Sequence, residues 1–313
     1  MLEGERILVT GGAGFIGSSL VERLAPGNEV AILDDLSSGS LQNLGEVHGK
    51  VHLFKSSILD REAALRAMRG RTVVFHLAAL ISPPESFAHP ERYGDLNVLG
   101  TANVLAAALQ ANVRSFVFAS TCAVYGPSRA ARIPETAKTD PRSPYAATKL
   151  AGEQLCDTAA ADGLKVAKLR IFNAFGPRQS ASSTYASVVA RFAAAAATNA
   201  AVTVYGSGRQ SRDFVYVDDV ARAFELAAAS SRARGEVINV GTGRPKSVLE
   251  VLAVIGELTG RKLKRVTGRR RKGDLMRSCA DTRKAKELLG FSPEVDFKDG
   301  VRRVLAYQMA GHD

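Results

Sequence analysis

The sequence predicts an α/β fold: a doubly wound parallel sheet with a smaller, mostly C-terminal α/β unit beside it. Three observations carry this. Short β-branched apolar runs alternate with amphipathic stretches through the first half, a glycine-rich turn joins the first run to the first stretch, and the rhythm breaks after Phe175-Gly176-Pro177. Strands alternating with helical segments of this length build βαβ units, and hence a parallel sheet with helices on both faces.

In chain order the expected strands are Arg6–Thr10, Glu29–Leu33, Val51–Lys55, Thr72–Leu77, Ser115–Ala119 and Lys165–Ile171. The stretches between them, Ile16–Leu24, Arg61–Met68, Val98–Ala111 and Tyr145–Ala161, are amphipathic and read as helices. Phe214–Val217 and Glu236–Val240 read as further strands, so the chain is expected to return to the sheet after an excursion. Ala-rich Phe192–Ala201 reads as a small-residue helix. The expected division places residues 1–175, with about 209–243, in the first domain, and about 176–208 with 244–313 in the second.

Composition bounds the function. The chain has 313 residues, 46% hydrophobic and 23% charged, which excludes disorder, collagen and a disulfide scaffold. A chain of this length buries roughly three quarters of its unfolded surface, so it needs neither disulfides nor a metal for stability. No run of about 18 apolar residues is present, so no membrane span is expected. The N-terminal Met1-Leu2-Glu3-Gly4-Glu5-Arg6 carries acids and runs straight into an apolar strand, unlike a secretory leader. Cys122, Cys156 and Cys279 are odd in number and far apart, which points to a reducing, cytoplasmic setting. Five scattered histidines without Cys/His spacing argue against a metal site. The formal net charge of +11 raises the question of a nucleic-acid partner. Eight of those positive charges fall in the twelve residues Arg261–Lys272, which leaves +3 for the rest of the chain. That run contains no aromatic residue for base stacking, and the chain has no Trp, so the charge alone does not make a nucleic-acid platform.

Gly12-Ala13-Gly14-Phe15-Ile16-Gly17 follows the first strand directly and opens the first helix. In that position glycines permit a tight turn, close approach of a pyrophosphate and close helix–strand packing, while the helix N-terminus faces the anion. Asp34 ends the second strand 22 residues after Gly12, where a carboxylate can accept hydrogen bonds from a ribose 2′-hydroxyl and would repel a 2′-phosphate. The combination predicts a Rossmann-type domain for NAD rather than NADP.

Tyr145 and Lys149 stand i, i+4 after Pro144, on one face of a helix. A nearby ammonium favours the phenolate, which suits a general base near neutral pH. By itself such a pair is more often a solvated helix face. Upstream, however, Ser120-Thr121-Cys122-Ala123-Val124-Tyr125-Gly126 lies at the C-terminal end of an expected sheet strand, where open α/β sheets bind their ligands. A Thr121 hydroxyl there could share a substrate proton with Tyr145.

Taken with Thr10–Gly17, these segments, His76-Leu77-Ala78-Ala79, Asn97-Val98-Leu99-Gly100-Thr101, Arg170–Arg178, Val204-Tyr205-Gly206, Arg212–Asp219, Asn239-Val240-Gly241 and Arg271-Lys272-Gly273-Asp274 resemble the extended short-chain dehydrogenase/reductase family in its nucleotide-sugar epimerase branch. The resemblance spans essentially the whole chain. It implies NAD as cofactor, held by Gly11, Gly14, Phe15, Ile16, Gly17, Asp34, Ser57, Ile58, Leu77, Ala78, Ala79, Tyr145 and Lys149. It implies catalysis by Thr121, Tyr145 and Lys149. Tyr145 would take the proton of a sugar hydroxyl as hydride passes from the same carbon to NAD, and return of hydride to the opposite face would invert that carbon with no net redox change.

The resemblance further implies a UDP-sugar substrate bound by Thr121, Asn173, Val204, Tyr205, Arg212, Arg271, Asp274 and Ser278, with arginine forks suited to the diphosphate. Related dehydratases carry Asp-Glu directly after the threonine, and related decarboxylases keep the second acid. Cys122 and Ala123 stand there instead, which argues for epimerisation. Ser278 occupies a position where bulkier residues restrict the sugar C2 substituent, so it either leaves room for N-acetylated hexoses or is a loop serine without substrate contact. Thr184, Tyr185 and Ser187 resemble a sugar-facing stretch. Ser57 replaces an aspartate that many relatives aim at adenine, and Leu80-Ile81-Ser82 is apolar where some relatives place a lysine, so the sugar stays open. The bland alternatives are that Arg212 pairs with Asp213 or Asp218 and that Arg271 is one more solvated charge. His76, Asn97 and Tyr125 read as structural.

The expected function is NAD-dependent 4-epimerisation of UDP-glucose and UDP-galactose through a 4-keto intermediate, in a cytoplasmic homodimer with no nucleic-acid or membrane partner. The alternatives are epimerisation of another nucleotide sugar such as UDP-glucuronic acid, a nucleotide-keto-sugar reductase and, more remotely, a non-catalytic NAD- or nucleic-acid-binding protein.

Overall fold

The computed structural model describes residues 2–181, 187–269 and 275–311. The first part alternates β1 (Arg6–Thr10), α1 (Phe15–Leu24), β2 (Glu29–Asp34), β3 (His52–Lys55), α2 (Arg61–Met68) and β4 (Val73–His76). Two short helices, α3 (Pro83–Ala88) and α4 (Pro90–Gly94), then lead through a π-turn at Asp95–Leu99 into α5 (Gly100–Gln110). There follow β5 (Ser115–Thr121), α6 (Pro144–Ala161), β6 (Val166–Ile171) and β7 (Asn173–Phe175). The remainder comprises α7 (Val188–Thr198), β8 (Val202–Tyr205), β9 (Ser211–Arg212), β10 (Phe214–Tyr216), α8 (Val217–Ala229), β11 (Val237–Val240), β12 (Lys246–Ser247), α9 (Val248–Thr259), β13 (Arg265–Gly268), β14 (Arg277–Ser278), α10 (Arg283–Leu289) and α11 (Phe297–Met309).

Seven strands form the main sheet in the order β11-β6-β5-β4-β1-β2-β3, and every neighbouring pair is parallel. This is the doubly wound Rossmann-type arrangement. The chain reverses its direction of travel across the sheet between β1 and β4, so the crevice beyond their C-terminal ends is where such folds bind ligands. Because helices cover both faces, the strands are buried on both. Ile7 and Val9 of β1 point into one apolar cluster with Leu20, Val21 and Phe224, while Leu8 points into the other with Val74, Phe116 and Phe118. Each such side chain contributes roughly 1.5–3 kcal/mol by leaving water.

The strand expected at Phe214–Val217 does form, but outside the main sheet: β10 pairs in parallel with β7 alone, and only β11 returns to the sheet edge. Phe214 and Tyr216 instead pack with Val189, Phe192, Val251, Ile255, Val301 and Val304 in a third apolar cluster. That burial draws the strand away from the sheet. The Ala-rich helix also starts earlier than its composition suggests, because Ser187 caps it by accepting from Ala190 N at 3.2 Å.

Candidate active site

The turn after β1 is shaped by what cannot be there. Gly11 has φ +70°, and a Cβ on it would lie 2.7 Å from Ala78 N; a Cβ on Gly17 would lie 2.0 Å from the Gly11 carbonyl oxygen. Only glycine fits at either position. Helix α1 begins at Phe15 behind Gly14, with no side chain capping its first N–H groups. Those donors are left for an anion approaching from the crevice. Asp34, buried at the end of β2, accepts from Ala13 N and Leu36 N, both at 2.9 Å, and burial pushes its carboxyl above the usual range. A cradle of glycines, an uncapped helix end and a fixed carboxylate fit a dinucleotide. Ile58 packs beneath α5, where a Cβ on Gly100 would meet it at 2.5 Å, and Ser57 accepts from Leu59 N at 3.2 Å.

Leu77, Ala78 and Ala79 follow β4, and a hydrogen-bonded chain ties them to helix α6. Ala78 N–H donates to Thr10 Oγ1 (3.3 Å), which lies 2.7 Å from His76 Nδ1; His76 Nε2 lies 3.0 Å from Thr101 Oγ1; and Thr101 donates to the Asn97 carbonyl (2.6 Å). Since the Thr101 proton goes to Asn97, its oxygen accepts from His76 Nε2–H. Burial, with Lys149 nearby, lowers the His76 pKa to about 3, so the ring is neutral at pH 7 and its Nδ1 accepts from Thr10. In the π-turn, Asn97 spans Leu80 with both ends of its amide and donates to Thr148 Oγ1 at 3.0 Å, beside Lys149. His76 and Asn97 hold the segment after β4 and the π-turn together through these hydrogen bonds.

Helix α6 starts sharply because Pro144 sits at its first position and Ser143 caps it, accepting from Ala146 N at 3.2 Å. Tyr145 and Lys149 lie one turn apart on its buried face. The Lys149 ammonium sits 4.2 Å from the centroid of the Phe118 ring, in the strand that ends at Thr121. The carboxylates along its helix are engaged elsewhere: Glu153 holds Arg170 at 2.6 Å, and Asp157 holds Lys168. Burial accordingly lowers the Lys149 pKa to about 8. The Tyr145 ring stands edge-on to Tyr93, 6.5 Å between centroids. Thr121 Oγ1 accepts from Ala123 N at 3.2 Å, which leaves its own proton for another acceptor.

On the opposite wall, Ser278 pairs in register with Arg212 across β14 and β9. Ser278 is buried and lies beside the Cys122 thiol, so the structure brings it to the residue after Thr121. Burial pushes that thiol up to about 11, consistent with an inert side chain rather than a nucleophile. Asn173, at the start of β7, has a buried Oδ1 with no hydrogen-bond partner among the described residues. Arg212 donates to the carbonyls of Ser211 (2.8 Å) and Leu275 (2.7 Å), and pairs with neither Asp213 nor Asp218. Asp218 faces Arg303 at 3.5 Å. Val204 is buried, and Tyr205 beside it lies under Gly268, where a Cβ would sit 2.8 Å from the ring. Arg271, Asp274, Thr184 and Tyr185 lie outside the described residues.

Sequence reasoning weighed Asp213 only as a partner for Arg212. Fully buried, it accepts from Thr242 N (2.8 Å), Thr242 Oγ1 (2.6 Å), Gly243 N (2.8 Å) and Ala280 N (3.0 Å), and so pins the loop after β11 and the segment after Ser278 to the strand beside Arg212. No local signal marked it: it stands between Arg212 and the apolar run Phe214–Tyr216, outside either strand, and reads as a surface charge. Ser120, Glu153 and Arg170 form a second buried network that sequence reasoning missed, with Arg170 4.6 Å from the centroid of the Tyr125 ring.

A family model described as the NAD dependent epimerase/dehydratase family matches residues 7–241. The chain belongs to that family. Among curated relatives, the UDP-glucose 4-epimerase of Mycolicibacterium smegmatis is 38% identical over 308 residues, covering 96% of this chain and 98% of its own. Among solved structures, the UDP-N-acetylglucosamine 4-epimerase of Methanobrevibacter ruminantium, in complex with UDP-N-acetylmuramic acid, superposes with a TM-score of 0.95 at 34% identity, covering 99% and 100% of the two chains. The Thermus thermophilus UDP-glucose 4-epimerase in complex with NAD gives 0.89 at 39%, covering 97% and 98%. The family model ends at residue 241, and the solved structures extend the match over nearly the whole chain. No helix among the described residues is long and apolar enough to cross a membrane.

Proposed function

We propose that the chain catalyses NAD-dependent 4-epimerisation of a UDP-hexose, UDP-glucose to UDP-galactose, with N-acetylated hexoses admitted. One observation carries the reading. A buried lysine with no carboxylate partner among the described residues lies over the strand ending at Thr121, one helical turn from Tyr145, and the residues after Thr121 are Cys122 and Ala123, with no acid for dehydration or decarboxylation.

In this reading Tyr145 takes the proton of the sugar 4-hydroxyl and Thr121 donates to the same oxygen. Lys149 stabilises the phenolate and holds the nicotinamide ribose. NAD, when bound, supplies a reversible hydride acceptor at the sugar C4, so the reaction has no net redox change. Gly11, Gly14, Phe15, Ile16 and Gly17 receive the pyrophosphate, Asp34 the adenosine ribose, and Ser57, Ile58, Leu77, Ala78 and Ala79 line the remainder. Asn173, Arg212 and Arg271 grip the diphosphate, Asp274 the uridine ribose, Val204 and Tyr205 the base. The unpartnered Asn173 oxygen points to a donor on the ligand beside the diphosphate: an unmet buried acceptor costs about 1–3 kcal/mol, which a sugar hydroxyl would recover while the amide N–H groups serve the phosphate. Small Ser278 leaves room for a C2 N-acetyl group.

We further infer that the third apolar cluster organises a substrate domain from about 176–208 and 244–313, that α5 and α6 face a second copy in a homodimer, and that the protein is cytoplasmic, in keeping with its three free cysteines. The test is incubation with UDP-glucose, UDP-galactose, their N-acetylated forms and UDP-glucuronic acid, reading out the C4 epimer. Tyr145→Phe should lower turnover by about 10²–10⁴ while retaining UDP binding. Full activity in that variant would sink the assignment, and consumption of stoichiometric NADH would favour a reductase.

A further inference from the structure

Apart from Arg271, the basic run remains without a role after the site is assigned. Between Glu257 and Asp274 the chain carries eight positive charges and no acid. The structure describes the first five of those charges. Arg261, Lys262, Lys264, Arg265 and Arg269 are all exposed. Arg261 donates to the Ala196 carbonyl at 3.3 Å, at the C-terminal end of α7. Lys262, Lys264, Arg265 and Arg269 have no carboxylate partner among the described residues, although 18 ion pairs form elsewhere among those residues.

The run has a direction. It starts at the end of α9, becomes the edge strand β13, and pairs in parallel with β8 from Arg265↔Val202 to Gly268↔Tyr205. Gly206 N donates to the Gly268 carbonyl at 2.9 Å, which locks the far end of the strand onto Tyr205. Gly268 has no side chain, and that lets the strand lie against the Tyr205 ring. The positive strip therefore runs from open solvent to the residues assigned to the nucleotide base. Arg191 adds a guanidinium 5.8 Å from the Tyr205 ring centroid.

Edge strands often carry charge to discourage pairing with other chains. Two features exceed that need: the charges extend through Arg261 and Lys262, before the strand begins, and they all have one sign. An unneutralised strip of one sign beside a cleft concentrates ligands of the opposite sign and raises their association rate. We propose that Lys262, Lys264 and Arg265 form an electrostatic guide that draws the anionic diphosphate of the nucleotide sugar into the site. The guide acts on encounter and not on the chemical step. This rests on the UDP-sugar reading above, and deepens it by naming which surface the substrate crosses.

The test is stopped-flow association of UDP with the full-length protein and with the triple variant Lys262→Glu/Lys264→Glu/Arg265→Glu, using neutral uridine as control. At about 20 mM salt the variant should bind UDP about tenfold more slowly. In about 0.5 M salt, where screening reduces the Debye length to a few ångströms, the two proteins should match. Uridine should associate at the same rate with both. Equal UDP rates at low salt would overturn the guide, as would an equal slowing of uridine, which would mark a structural effect. Tight binding of a single-stranded RNA that UDP fails to displace, lost in the variant, would overturn it in favour of a nucleic-acid surface. If the parent protein binds no UDP at all, the UDP-sugar reading itself fails; parent binding with unchanged variant rates sinks only the guide.

Discussion

Lys149→Met should make the dinucleotide-free protein more stable while destroying its activity. The lysine is 4% exposed and faces an aromatic ring, and its folded pKa is about 8, against the ordinary 10.5. A lysine whose folded pKa is depressed carries a penalty that is fully present below the folded value and vanishes as pH rises through the unfolded one. The difference corresponds to roughly 3 kcal/mol at neutral pH. Methionine fills similar space, keeps the contact with Phe118 and has no charge to desolvate. Urea unfolding of protein stripped of nucleotide, at pH 7, should therefore show the variant more stable by up to about 3 kcal/mol. The parent should gain stability between about pH 8 and pH 10, and the variant should lack that rise. Epimerisation should be lost in the variant. A variant less stable than the parent at pH 7 would refute the reasoning, because it would mean that the ammonium is well paired in the free protein and is not held at a cost for catalysis.

Ser278→Tyr should abolish turnover of N-acetylated UDP-hexoses while sparing UDP-glucose, since the side chain is buried against Cys122 on the proposed sugar wall; the ratio of kcat/KM for the two substrates checks this, and an unchanged ratio would remove Ser278 from the pocket. His76→Phe keeps the volume but breaks the chain from Ala78 through Thr10 and Thr101 to Asn97, and should cost about 1–3 kcal/mol in stability. It should also weaken NAD retention, read by the nucleotide that remains bound after gel filtration, whereas a purely local packing role would leave retention unchanged.

The main sheet was legible because its signals are local. Each strand is an apolar run of a few residues, Asp34 and the glycines mark the first crossover, and Pro144 with Ser143 marks the start of α6. The strand at Phe214 was legible as a strand but not in its pairing, because its partner is chosen by an apolar cluster drawn from residues 175–305. The π-turn at Asp95–Leu99 left no periodic trace; a one-residue widening shifts a helix without changing its composition. Among candidate site residues, Gly17 stands in the spacing of the glycine motif, whereas Gly11, where a side chain would strike Ala78, entered only through the resemblance. Asp213 and Arg170 could not, since a buried carboxylate and a buried guanidinium look like surface charges until their distant partners are in view.

The two buried nitrogen bases near the cofactor crevice show how the site manages charge. His76 and Lys149 lie close enough that the lysine depresses the histidine's pKa. Two cations sharing a dry pocket would drive one of them to neutrality. Burial settles which one: fully enclosed, with one nitrogen against Thr10 and the other donating to Thr101, His76 has its pKa lowered to about 3 and is the neutral partner. Lys149 meets a ring face and keeps its proton at neutral pH. A neutral histidine thereby lets the neighbouring lysine stay charged at the position from which, in the proposed mechanism, it holds Tyr145 ready as a base. Asn97 completes the arrangement by tying the same π-turn to Thr148, so that one uncharged hydrogen-bonded chain braces both the loop after β4 and the helix that carries the cation the chemistry requires.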